Sequence, residues 1–179
     1  MTDRLTREDW VVVALKELAT HGHGSLSANR LASVLGVSRG SFYWHFQNIE
    51  DFETSVLKRW QQLTTDSIIA EMETLESAEQ RLATLVRTSL SAKTRLERAV
   101  RCWAIDKKSV ARFVSRIDVK RMEYVRQLLV AIGGDHDDVG MRAQVLYWAS
   151  VGMIMGPVSD QMAAIQESDL VSFFALPNA

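Results

Sequence analysis

Apolar side chains recur along this chain at steps of three and four, the spacing that gathers them on one face of an α-helix. The first such set is Val11, Ala14, Leu15 and Leu18. Thr6 followed by Asp9 reads as a capping box that opens the helix, and Gly22 and Gly24 end it. The β-branched run Val11 to Val13 also suits a strand, but length and the cap favour helix. Two short segments follow. Ser27 caps one, with Leu26 placed to pack on Leu31 as a hydrophobic staple, and Gly36 breaks it. Ser38 caps the next, with Val37 and Phe42 at the staple positions. Helix one is expected to pack behind this pair through Leu31, Val34, Leu35 and Phe42. Asn48 with Asp51 then opens a fourth helix whose stripe is Phe52, Val56, Trp60 and Leu63. No Gly-, Pro- or Ser-rich linker interrupts it, so it is expected to join the two halves of the chain stiffly.

The rest reads as helix upon helix. Ser77 with Gln80 and Thr94 with Glu97 form capping boxes, each followed by apolar residues at helical steps: Leu82, Leu85, Val86 and Leu90, then Leu96, Val100 and Trp103. Asp106 is placed to cap a further short helix. A longer one is expected from about Asp118 to Ile132, stopped by Gly133 and Gly134. The last strong element starts near Asp137 or Asp138 and runs to Pro157. It is apolar nearly all round, so it must be covered on most sides. No strand-like hairpin, internal repeat or low-complexity tract appears.

Ser27 to Gln47 has the spacing of a helix-turn-helix, whose second helix reads DNA. The exposed positions of that helix collect donors, flat rings and one small residue: Arg39, Gly40, Ser41, Tyr43, Trp44 and His45. Arg39 lies in the N-terminal turn, where side chains reach base edges in the major groove, and Gly40 lets the groove wall come close. Tyr43 and His45 are better placed for phosphates, and Ser27, Asn29, Arg30 and Ser38 complete the expected DNA-binding set.

The run Leu35-Gly36-Val37-Ser38, followed by Ser41, Phe42, Tyr43, Trp44, His45 and Phe46, resembles the DNA-binding domain of the TetR family of one-component regulators. The likeness covers residues 7 to 57 closely and the remainder vaguely. It implies an all-α fold: a three-helix helix-turn-helix domain over residues 1–47, and a helical ligand-binding and dimerisation domain over residues 48–179. The family commonly has a Lys after the His-Phe pair to grip a phosphate; here the stretch is Gln47, Asn48, Ile49.

For the last helix two readings fit, a central core helix of a monomer or a seam between two copies. Gly152 and Gly156 leave a smooth strip for close approach. Helix-turn-helix proteins usually bind two half-sites as dimers, and the resemblance implies the same. The expected seam is therefore Met122, Val125, Leu129, Val145, Trp148, Gly152 and Gly156. The resemblance also implies a small-molecule effector site between helices, for which Trp60, Trp103, Phe113, Trp148 and Met153 are the candidate lining. Aromatics and Met at helical spacing serve equally as core.

Composition narrows the picture. With 179 residues, 47% hydrophobic and 24% charged, the chain has ordinary globular proportions. Its charged start, MTDRLTRED, lacks a secretory apolar region, and the uncharged stretch Val145 to Ser159 is too short to span a membrane. A soluble, cytoplasmic protein is expected. Cys102, the single cysteine, cannot form an internal disulfide and is expected to lie buried beside Trp103. Residues 1–60 carry seven basic and seven acidic side chains, so DNA binding would rest on a local patch rather than a general positive field. The basic residues Arg81, Arg87, Arg95, Arg98, Arg101, Lys107, Lys108 and Arg112 read as a solvated face, and His21 with His23 as part of a turn.

No nucleophile elbow, phosphate loop or metal constellation is found, so neither enzyme activity, a cofactor nor a metal is expected. The expected function is a sequence-specific transcriptional regulator, a repressor that binds a palindromic operator as a homodimer and is released by a small molecule. The alternative is a helical ligand carrier or enzyme with an incidental helix-turn-helix-like turn.

Overall fold

The computed structural model describes residues 5–91, 95–133 and 137–156. Every regular element among them is a helix: α1 (Arg7–His21), α2 (Ala28–Leu35), α3 (Arg39–His45), α4 (Ile49–Gln61), α5 (Ser67–Met72), α6 (Ala78–Ser91), α7 (Arg95–Asp106), α8 (Lys108–Gly133) and α9 (Val139–Met155). A tight helical turn, His23–Ser25, follows α1, and a π-helical turn, Gln62–Asp66, follows α4. None of these helices is long and apolar enough to cross a membrane.

Four of the expected caps form, at Thr6, Ser27, Asn48 and Ser77. The Thr6 hydroxyl accepts from the Asp9 N–H while the Asp9 carboxylate accepts from the Thr6 N–H at 2.7 Å. The Thr6 N–H, and then the Thr6 hydroxyl, donate to the Asp9 carboxylate and hold it below the usual carboxylate range. Ser27 caps α2, Asn48 caps α4, and the Ser77 hydroxyl accepts from the Gln80 N–H. Gly36 ends α2 in the left-handed region, φ 68°, so that the Val37 N–H reaches the Ala32 carbonyl and the Gly36 N–H that of Ser33. Thr94, Gly134 and Pro157, expected to cap or end helices, lie outside the described residues.

Several expectations are corrected. Helix α8 begins at Lys108 rather than near Asp118, because nothing between them breaks a helix and Val110, Val114 and Ile117 extend its buried stripe. Asp106 ends α7 instead of capping a separate helix. Leu63 leaves the α4 stripe and is exposed: the π turn inserts an extra residue per turn, which rotates Thr65 inward in its place. Val34 faces solvent, and Ala32 takes the buried position on α2. Ser38 occupies the N-cap position of α3, but its hydroxyl makes no capping bond.

The chain forms two compact units, one from residues 5–64 and 95–114, the other from 65–91, 115–133 and 137–156. In the first, α1 packs against α2, α4 and α7, and α2 against α3. Its largest fully buried side chains are aromatic. Phe42 of α3 meets Trp10 edge-on at 5.5 Å and Phe52 at 5.2 Å, and Phe46 meets Phe42 and Phe52, each at 5.0 Å. Around this nest Arg7 closes like a clasp. Its Nη1 donates to the His45 carbonyl at 2.8 Å, and its Nη2 to Asp51 Oδ1 at 2.6 Å and Ser55 Oγ at 2.7 Å, while the guanidinium lies 4.6 Å from the Phe46 ring centre. Farther along α4, the Trp60 indole donates to Glu97, which is also paired with Arg101, a polar group buried between α4 and α7.

In the second unit, Met72 of α5, Leu82 and Val86 of α6, Tyr124, Val125, Leu128 and Leu129 of α8, and Val139 and Ala143 of α9 form one core. Tyr124 donates to Glu73 at 2.8 Å; burial and then that carboxylate push its phenol well above the ordinary value.

Two measurements check the first unit. Phe42→Ala should cost about 3–5 kcal/mol in urea unfolding, because it empties the centre of the nest; a cost below about 1 kcal/mol would show that the rings do not hold α3. The second concerns pH. The hydrogen bond from Arg7, and then the Gln47 N–H, hold the Asp51 carboxyl below the usual range. Such a lowered group favours folding above its unfolded value, roughly 4, and loses that contribution as pH falls through the folded value. The stability gap between wild type and Arg7→Met should therefore be widest above about pH 4 and narrow below it. A gap constant with pH would separate Arg7 from Asp51.

Candidate nucleic-acid interface

The buried side of α3 determines what its other side presents. With Phe42 and the C-cap residue Phe46 both inside the aromatic nest, Arg39, Gly40, Tyr43 and Trp44 are turned to solvent. Trp44 is 82% exposed, a large apolar ring left uncovered on a helix otherwise held by ring packing. Among the described residues, the Ser38 hydroxyl is the one side-chain atom near the place a Cβ on Gly40 would occupy, at 3.7 Å. Ser41 and His45 are half-buried, and His45 lies beside Trp10 with ring centres 6.3 Å apart.

Ser27, Asn29 and Arg30 are exposed at the start of α2. Arg30 is not an unengaged cation: its Nε donates to Glu17 Oε2 at 2.7 Å, and that carboxylate also lies 3.3 Å from His21 Nδ1. Arg39 is engaged within its own helix, Nη2 donating to the Tyr43 hydroxyl at 3.2 Å. The arrangement offers donors at the N-terminal turn of α3, aromatic surface one turn later and small residues between, a combination suited to groove edges and backbone oxygens. Sequence reasoning missed Arg7. Its partners His45, Asp51 and Ser55 are far along the chain, so no local signal marks it.

The other candidates are distributed differently. Trp60 and Trp103 are buried in the first unit, where Phe113 also belongs, whereas Trp148 and Met153 are exposed on α9 of the second. The five do not line a site within one unit. Cys102 is exposed rather than buried, because α7 turns Val100 and Trp103 inward and Cys102 outward. Several of the basic residues are paired: Arg81 with Glu73, Arg101 with Glu97 and Lys107 with Glu53. Of the seam candidates, Val125 and Leu129 are corrected: they are core of their own unit and offer no surface to a partner. Met122 is half-buried, while Val145, Trp148 and Gly152 are exposed and Gly156 is partly so.

Residues 11–52 match the family described as bacterial regulatory proteins, tetR family. Over 43 residues the chain is 37% identical to the "Probable acrEF/envCD operon repressor" of Escherichia coli (strain K12), a stretch that is 24% of this chain and 20% of that protein. The match thus spans about a fifth of the length of that curated relative. Among solved structures, a transcriptional regulator from Rhodococcus sp. Rha1 is similar at a TM-score of 0.70 and 17% identity, over 96% of this chain and 92% of that one. The transcriptional regulator FadR from Bacillus subtilis, solved in complex with stearoyl-CoA, is similar at 0.65 and 18% identity, over 92% and 91%. At such identities the likeness is one of fold. At residues 11–52 the chain is thus similar to the bacterial regulatory proteins of the tetR family, and its described residues, all helical in their regular elements, share the fold of solved transcriptional regulators.

Proposed function

We propose that this protein is a repressor that binds a palindromic operator as a homodimer and leaves it when a small molecule binds. The observation that carries the reading is the outward face of α3, where a buried Phe42 holds Arg39, Tyr43 and Trp44 toward solvent on a helix-turn-helix. The E. coli relative, an operon repressor by name, supports the sign of regulation. DNA recognition belongs to residues 1–47 and ligand binding and dimerisation to residues 48–179.

The homodimer rests on α9. Met141, Val145, Trp148, Gly152 and Met155 recur at steps of four and three and are all exposed, with Met141 at 63% and Trp148 at 60%. Such a stripe on a helix whose opposite side, Val139, Ala143 and Tyr147, is already buried suits a second copy of itself. A palindromic operator then follows from two-fold symmetry, with half-sites about 34–36 Å apart. The effector reading is supported by the stearoyl-CoA bound to the B. subtilis neighbour. Linkage makes the effect reciprocal: operator and effector weaken each other's binding by one factor.

Selection from a random duplex pool followed by titration at fixed salt tests the DNA reading. Arg39→Ala should cost about 1–3 kcal/mol of binding to the selected operator; unchanged binding would overturn the assignment of α3 as reader. Sedimentation at micromolar concentration tests the dimer. Among the described residues, the backbone of α9 aside, nothing lies within 4 Å of a Cβ added at Gly152, so Gly152→Leu should fold normally yet dissociate the dimer and lower operator affinity with it. A wild type that sediments as a monomer would sink the seam.

A further inference from the structure

Tyr43 is placed to do more than meet the DNA backbone. It follows Arg39 by four residues on α3, and helical side chains lean toward the N-terminus, so its ring tilts back over the turn that Arg39 begins. The contact is twofold: Arg39 Nη2 donates to the Tyr43 hydroxyl at 3.2 Å, and the guanidinium carbon lies 5.7 Å from the ring centre, within cation–π range. Behind it, Phe42 meets the Tyr43 ring edge-on at 5.3 Å, which ties the aromatic nest to the exposed pair.

Resting on the DNA-binding function proposed above, we propose that Tyr43 is a positioning residue for base selection, aiming the Arg39 guanidinium at its base pair. A free arginine side chain carries substantial rotamer entropy, so one already held in a single direction loses less on docking and discriminates more sharply between base pairs. A tyrosine hydroxyl both accepts and donates. Accepting from Arg39 leaves its own proton for a phosphate oxygen, so one side chain joins the backbone contact to the base contact. Arg30, the other arginine of this surface, is instead held by Glu17 on α1, which leaves Arg39 as the guanidinium that α3 itself directs.

The readout is preference, since a residue that only grips phosphate changes affinity alike for every sequence. Full-length wild type, Tyr43→Phe, Arg39→Ala and the double variant would be titrated against the selected operator and against operators with single base-pair changes, each variant first checked by circular dichroism for wild-type helicity. Arg39→Ala should erase preference at one base pair per half-site. Tyr43→Phe, which keeps the ring and removes the hydroxyl, should reduce preference at that same pair by about 2- to 10-fold, the worth of one hydrogen bond. In the Arg39→Ala background it should change preference no further. A Tyr43→Phe protein that weakens all operators by one factor, or an Arg39→Ala protein with unchanged preference, would overturn the proposal while leaving DNA binding intact. A wild type that selects no sequence from the pool would instead remove the proposed function, and this inference with it.

Discussion

Phe42 is the side chain on which the exposed face of α3 depends. A seven-residue helix is too short to persist by its own hydrogen bonds, so α3 exists because tertiary packing holds it. Phe42 supplies that packing by meeting Trp10 of α1 and Phe52 of α4 at once, with Phe46 completing the nest. Each aromatic pair adds about 0.5–1.5 kcal/mol beyond the area it buries. The packing carries a cost: the Trp10 indole N–H is buried without an acceptor among the described residues. Because one side of α3 is committed to these rings, the orientation of Arg39, Tyr43 and Trp44 follows from geometry alone.

Arg7 turns this packing into a fixed frame. One planar guanidinium reaches the last carbonyl of α3, a carboxylate and a hydroxyl of α4, and the face of Phe46, so the start of α1 holds the end of α3 and the start of the next helix together. A lysine could not satisfy three acceptors and stack at the same time. The first turn of α4 is acidic, with Glu50 and Asp51. Here Asp51 serves the protein's own arginine.

Helix α9 shows the opposite economy. Its apolar composition would suit a core helix, yet only Val139, Ala143 and Tyr147 are buried, and the facing stripe remains in solvent. Burying a side chain such as Trp148 is worth on the order of 2 kcal/mol, a gain that α9 does not collect among the described residues of one chain.

The sequence by itself determined most of the helices, the caps at Thr6, Ser27, Asn48 and Ser77, the left-handed turn at Gly36 and the helix-turn-helix motif. Each of these is an interaction among residues a few positions apart, and such information is local. Only the tertiary structure decided which apolar residues were spent within the chain. Val125 and Leu129 share a helical spacing with exposed residues and differ from them only in what packs opposite. Leu63 lost its place because one π turn shifted the helix phase, and Cys102 because its neighbours faced inward. Arg7 and Glu17 found partners that no local pattern announces, since a charged side chain at a helix surface looks the same in sequence whether it ends in water or on a distant carboxylate.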